Sequence, residues 1–454
     1  MSAETGDIAS LDWRGAGAEG DLLIRGARAF DPRSDLDREC DLVVRGGRIA
    51  EIADAGNGEL PDGGEEIDAT GLHAFPAFFD PHVHLRTPGQ EYREDIESGS
   101  RAAAAGGFCG IVAMANTDPV VDDPAIVMAL RERAENEAVV PTGFVGTVTK
   151  GMEGRELAEM AALREAGAVG FSDDGLPITD AGVMRRALQY QHLVGGTILL
   201  HEEDPALTGD GVMGEGAVSA ALGLGGVPDV SESTMIARDG ALCLYEDARA
   251  HVQHLSARAS VEAVAVAKEA GAKLTAELTP HHLVLIDEEV RSLDARFKMN
   301  PPLRTEDDRQ ALIEALRSGI VDCIGTDHAP HAPHEKEIPF EAANMGVTGL
   351  ETAFAALYTE LVLPGVVDLG LIVERMGAGA ALFDLEPARI EVGAEADIAL
   401  VDLDPEWEAG ADGWESRSVN SCFAGRRLRS RPVVTIVAGT VAYRRREFTM
   451  KVAG

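Results

Sequence analysis

Asp80-Pro81-His82-Val83-His84-Leu85-Arg86 follows directly on the apolar run Ala74-Phe75-Pro76-Ala77-Phe78-Phe79. The run reads as a buried strand, and alternate residues of a strand point to the same side. His82 and His84 therefore leave the strand end in parallel, as two imidazoles able to share one metal ion. Arg86, two residues further on, can reach a substrate anion beside that metal. Taken alone, His-x-His is most often just two polar residues at a strand end. Here a series of later strand ends also finishes in His, Asp or Asn.

Outward from this stretch the pattern is one of strands alternating with helical segments. Strand candidates are 74–80, 109–115, 143–148, 168–172, 197–201, 250–254, 273–278 and 320–326. Between them lie stretches with helical spacing rich in Ala, Glu and Arg, such as 155–166 and 259–271. Eight strand–helix units predict an α/β fold, a (β/α)8 TIM barrel over 74–390, with its site at the C-terminal ends of the strands. Strand-like pieces before the barrel (Asp21–Arg25, Asp41–Arg45, Arg48–Ala53) and after it (Asp397–Asp402, Val433–Ala438, Thr440–Tyr443) share one character. Gly46-Gly47 supplies a hairpin turn. Residues 21–73 and 391–454 are thus expected to pair into one small β-sandwich domain. Residues 1–20, polar and Gly-rich, read as a flexible tail.

Bulk composition limits the function. A formal charge of −37 argues against nucleic acid and anionic membrane surfaces as partners. Of 40 basic residues only six are lysine, a balance that fits either high-salt adaptation or a solvated acidic surface. Five scattered cysteines without a Cys-x-x-Cys pair suit a reducing compartment. The first residues lack the basic start and apolar core of a signal peptide, and no apolar run is long enough to span a bilayer. A cytoplasmic protein is expected.

The strand ends collect His82 and His84, Asn116, Asp173 and Asp174, His201, His254, Asn300, and Asp327 with His328 and His331. Imidazole and carboxylate together suit Zn²⁺ or a similar divalent ion, one per chain or a bridged pair. Such an ion supplies hydroxide at neutral pH and polarises a carbonyl. A carboxylate edge beside it can shuttle a proton.

With these residues in hand, the chain resembles the amidohydrolase superfamily and, within it, the class I dihydroorotases, over roughly residues 21–445. The most specific motifs are Asp80–Arg86 with Pro88-Gly89, Ala115–Pro119, Phe171–Gly175, His201–Asp204, Met299–Arg304, Gly325–His331 and Gly349–Thr352. The resemblance implies metal ligation by His82, His84 and Asp327 at one position and by His201 and His254 at the other. Many amidohydrolases bridge two metals with a carbamylated lysine from strand 4. Here that strand has no lysine, and Asp174 best matches the bridging position, with Asp173 as the fallback. The resemblance also assigns a substrate carboxylate to Arg86, Asn116 and His331, and ring contacts to Asn300 and to the backbone of Met345 and Gly346. The loop 332–348 is expected to close over the site. Adjacent His281 and His282 are expected to be structural, and His328 to orient Asp327 or a loop.

The implied reaction is zinc-dependent, reversible hydrolysis of dihydroorotate to N-carbamoyl-L-aspartate, in pyrimidine biosynthesis. Asp327 would carry the proton from the attacking water to the leaving ring nitrogen. The resemblance is compatible with a homodimer and with a complex with aspartate transcarbamoylase. Two other readings compete: a hydantoinase- or allantoinase-like cyclic amidase, which usually keeps the strand 4 lysine, and an inactive scaffold for the transcarbamoylase, which typically lacks metal ligands.

Overall fold

Residues 11–17 and 20–446 are described by a computed structural model. Five strands come first: β1 (Leu22–Asp31), β2 (Leu36–Arg45), β3 (Arg48–Asp54), β4 (Glu65–Asp68) and β5 (His73–Pro76). The barrel strands begin with β6 (Phe78–Val83), β7 (Phe108–Ala113), β8 (Thr142–Phe144), β9 (Gly170–Ser172) and β10 (Thr197–Leu200). A two-stranded ribbon, β11 (Met213–Gly214) and β12 (Gly226–Val227), interrupts them. The barrel resumes with β13 (Arg249–Val252), β14 (Lys273–Leu278) and β15 (Cys323–Ile324), and the chain ends in β16 (Ile398–Glu408), β17 (Arg427–Val437) and β18 (Thr440–Arg444).

Parallel pairing runs from β6 through β8 and from β9 through β15. Two bridges close the ring, Gly146 to Phe171 and Val83 to His328. Every residue of β6 and β7 is buried, as strands covered on both faces require. Helices such as Met160–Glu165, Arg258–Glu269 and Glu306–Ser318 separate the strands. The last starts at Thr305, whose side chain caps the helix in a reciprocal pair with Asp308. One continuous apolar cluster fills the barrel and the layer beneath its helices.

Both chain ends build one sheet, ordered β18-β17-β16-β5-β1-β2-β3 with β4 added beside β1. Its strands enclose a core of their own, with Ile24, Leu42, Ile49, Ile398, Val434 and Ile436 fully buried. β2 and β3 turn at Gly46-Gly47, both with positive φ.

Two expectations change. The single strand 74–80 divides at Ala77. His73–Pro76 joins the terminal sheet between β1 and β16, and the barrel strand starts at Phe78. Pro76 has no N–H for a continuing ladder, and the Ala77 N–H is drawn to Asp397 O instead. The tail expected over 1–20 docks in part. Asp12 pairs with Thr142 and bonds Arg131, and Trp13 is buried in the barrel core. An apolar anchor and an ion pair hold this piece despite its polar surroundings. The rest of that expectation, 1–10 and 18–19, lies outside the described residues. No described helix is long and apolar enough to cross a membrane.

Candidate metal centre

β6 carries His82 as its penultimate residue, and His84 follows one residue past its end. The His84 N–H donates to His328 O, which stitches the first strand exit to the eighth. Asp174 follows β9, His201 follows β10, His254 follows β13 and Asp327 follows β15. All six side chains are buried. The two carboxylate oxygens of Asp174 face different histidine pairs. Oδ2 lies 3.4 Å from His84 Nε2 and 3.8 Å from His82 Nε2. Oδ1 lies 3.4 Å from His201 Nδ1 and 3.7 Å from His254 Nε2. Asp327 Oδ1 sits 3.1 Å from His84 Nε2 and 3.6 Å from His82 Nε2. The ring nitrogens of His201 and His254 approach to 2.9 Å.

The donor set fits a divalent cation. His82 Nε2 and Asp174 Oδ1 are buried with no hydrogen-bond partner, an arrangement that is costly unless something is held there. His82, His84 and Asp327 form one compact ligand group, and His82, Asp174 and His254 form another. Three residues at these exits adopt positive φ: Arg86 (55°), His254 (34°) and Asp327 (47°). Strained backbone of this kind clusters where the fold fixes functional side chains.

A second ring of groups orients the first. Glu277, wholly buried in β14, meets His82 Nδ1 at 2.6 Å and His251 Nε2 at 3.1 Å. His251 in turn meets the Thr275 hydroxyl at 2.9 Å. With Nδ1 turned to a carboxylate, His82 presents Nε2 to the centre. Asn116 Oδ1 meets His84 Nδ1 at 2.9 Å, and its amide donates to Asp174. Glu203 takes His201 Nε2 at 3.1 Å and the Asn300 amide at 2.6 Å.

Charge follows this wiring. Burial would raise Asp327, but the His84 contact and the neighbouring His82 hold it at about 2. Burial would lower His201, and contacts with Asp174 and Glu203 instead raise it to about 10. Asp174, despite burial, is held well below the usual carboxylate range by His201, His254 and His82.

Asp173 does not share this centre. Its carboxylate accepts the Val148 and Thr149 N–H groups and the Thr149 hydroxyl. His282 bonds Thr279 and Pro301 O. The Nε2 of the buried His281 has no partner, and burial lowers its pKa to about 4. His328 accepts the Gly349 N–H and meets Glu94, so it secures the chain after the eighth strand.

On the solvent side of the centre, Arg86 is buried and donates through Nε to Pro330 O. No carboxylate pairs with it among the described residues. Burial and the nearby Arg93 lower it only to about 10, so it stays cationic. His331, held neutral by burial and the Arg86 charge, turns Nε2 to Met345 O at 2.7 Å. Gly346 follows, with φ of 131° and its N–H on Lys298 O.

Sequence reasoning passed over Glu277, His251, Glu203, Lys298, Lys336 and Asn420. For Glu277 a signal existed: one carboxylate near the end of a short barrel strand whose other charged residue, Lys273, is at its exposed start. Asn420, 89 residues beyond His331, accepts its N–H and donates to Ala329 O and Gly346 O, and no local pattern marks it.

A family model described as Dihydro-orotase-like matches residues 73–260. A protein named dihydroorotase from Geobacter sp. (strain M21) is 44% identical over 424 residues, covering 93% of this chain and 99% of that one. One of the same name from Geobacter metallireducens is 43% identical, covering 93% and 100%. Among solved structures, an L-hydantoinase (dihydropyrimidinase) from Arthrobacter aurescens superposes with a TM-score of 0.82 at 26% identity, covering 93% of this chain and 96% of the other. A D-hydantoinase from Thermus sp. gives 0.80 at 27%, covering 93% and 95%.

Proposed function

Because this chain belongs to the dihydroorotase family of amidohydrolases and has its cyclic-amide hydrolase activity, we propose how its own residues carry that reaction. His82, His84 and Asp327 would hold one cation, His201 and His254 would hold a second where two are bound, and Asp174 would serve both. The observation that carries this reading is the division of the two Asp174 oxygens between the two histidine pairs. Zinc is the expected ion, since the donors are nitrogen and carboxylate oxygen. When bound, it acidifies water and polarises the scissile carbonyl.

Arg86 grips the carboxylate of dihydroorotate with its planar fork, and Asn116 and His331 add polar contacts. Asn300 and the backbone at Met345 and Gly346 bound the ring. Asp327 accepts the proton of the attacking water as its oxygen joins the ring carbonyl carbon. The carbon–nitrogen bond then breaks, and Asp327 returns the proton to the departing ring nitrogen. The product is N-carbamoyl-L-aspartate, and the same steps in reverse close the ring. Against the effect of burial, the His84 contact and the neighbouring His82 keep Asp327 ionised and ready for this exchange.

The cytoplasm is the compartment we assign, consistent with five free, buried thiols. Assembly as a homodimer, or with an aspartate transcarbamoylase, belongs to the same proposal, and light scattering with and without that partner tests it. The direct test of function follows loss of ultraviolet absorbance of L-dihydroorotate with the zinc-loaded protein, beside Asp327→Asn. Turnover that disappears in the variant supports the reading. Turnover of a hydantoin, with none of dihydroorotate, overturns it.

A further inference from the structure

Two of the six lysines lie buried in the loop after the eighth strand and the segment it packs on. Lys336 ends the short helix Pro333–Lys336 and is only 7% exposed. Its ammonium donates to three backbone carbonyls: Lys298 at 3.0 Å, Asn344 at 2.8 Å and Gly346 at 2.9 Å. Burial lowers its pKa to about 7, but three carbonyls around one nitrogen favour the charged form, whose three donors are then all used. No carboxylate forms an ion pair with it among the described residues. Lys298 repeats the device, with Nζ on Phe340 O at 2.8 Å and Glu341 O at 2.9 Å, over the Phe340 ring.

The three carbonyls come from two segments, which the Lys336 side chain ties together beside a single backbone hydrogen bond between them. Lys298 lies two residues before Asn300, in the connection between the seventh strand and the helix Glu306–Ser318. Asn344 and Gly346 flank Met345, whose carbonyl meets His331. The Gly346 N–H returns to Lys298 O, so that carbonyl is shared between the turn and the ammonium. A side chain at Gly346 would collide with Ala329 and with His331 Nε2, each 2.9 Å from a Cβ placed there. The turn is thus pressed against His331 with no slack, and displacement of either segment moves the pocket wall.

We propose that Lys336 is a positioning residue for the reaction: its buried ammonium clamps the Lys298 segment, two residues before Asn300, to the Asn344–Gly346 turn and so sets the wall of the substrate pocket. The inference rests on the proposed placement of the substrate between Arg86, His331 and that turn. Arginine is no substitute, because a planar fork cannot point at three carbonyls disposed around one nitrogen.

Lys336→Met keeps the apolar stem and removes the donors. The expected result is a KM for dihydroorotate raised about tenfold or more, kcat within about twofold, and unchanged bound zinc. Lys336→Arg, which keeps the charge, is expected to raise KM as well. A KM unchanged in both folded variants overturns the proposal, as does loss of zinc. Hydrogen exchange of the wild-type holoenzyme is the second measurement, independent of any variant's folding. The amides of 344–346 should already be protected without substrate and gain little on adding N-carbamoyl-L-aspartate. Exchange that is fast in the free enzyme and slowed only by that ligand overturns the clamp. Absence of wild-type turnover of dihydroorotate would instead count against the substrate reading, while the exchange result would still decide whether the clamp is preformed.

Discussion

The two halves of the site are built in different ways. The proposed metal half consists of residues at or just past the ends of barrel strands, so the closed ring of parallel strands fixes their origin. Three of the proposed ligands are oriented by neighbours at the same ring: Glu277 for His82, Asn116 for His84, Glu203 for His201. The proposed substrate half adds to Arg86, Asn116 and Asn300 a loop whose backbone is held by buried lysine side chains and by Asn420, which arrives from far along the chain. Ionic chemistry on a rigid frame needs only local support. A pocket made of loop backbone has its amides and carbonyls committed by distant side chains.

If this contrast is right, damage to the metal half should cost turnover or metal, and damage to the loop half should cost substrate affinity. The largest effect is expected at Asp327. Its change to Asn should lower kcat by about 10²–10⁴-fold, measured by the absorbance assay. Next is Glu277→Gln, which leaves the shape of the β14 side chain and removes the charge facing His82. Zinc affinity should fall about 10–100-fold in a chelator competition. A variant that binds zinc normally yet has a raised KM would erase the distinction between the halves.

Asn420→Ala deletes three hydrogen bonds to the loop but touches no ligand. Leaving buried backbone groups unpaired costs about 1–3 kcal/mol, so KM should rise by about 5- to 150-fold with zinc content constant. A fall in kcat alone would contradict the assignment.

The smallest effect concerns Glu351. Its carboxylate accepts the N–H groups of Glu415 and Ser416 and so fixes the segment that leads to Asn420. Burial pushes it up to about 7. A carboxyl raised in the folded state binds its proton more tightly there than in the unfolded chain. This contribution to stability is therefore fully present below the unfolded value near 4.5 and is lost as pH rises to about 7. Glu351→Gln should flatten that part of the curve of Tm against pH. An unchanged slope would show that Glu351 does not titrate in this window.

The same contrast explains what the sequence could reveal. The period-2 spacing of His82 and His84, and the recurrence of His, Asp and Asn at strand ends, point to the metal half because strand geometry is local. The preference for Asp174 over Asp173 needed the family resemblance. In three dimensions the choice follows from Thr149 and the Val148 N–H, which hold Asp173 away. Glu277 lies within β14 rather than past its end, so the pattern of strand-end residues does not contain it. Lys336 and Asn420 were not legible, since their role lies in contacts across dozens of residues. The split at Ala77 was equally hidden: 74–80 is one apolar run, and only pairing with β1 and β16 assigns His73–Pro76 to a different sheet.

That pairing has a consequence for biosynthesis. β5 meets β16 through Pro76 and Ile398, about 320 residues apart. At roughly 5–20 residues per second, a ribosome needs about 15 s to a minute to deliver the second strand after the first. Through that interval the β5 edge that faces β16 in the finished sheet has no partner from its own chain, and Asn420 has not yet reached the loop. A nascent chain can therefore close its barrel and gather its histidines while it still lacks a finished pocket. Competence to bind substrate comes only with the last few dozen residues.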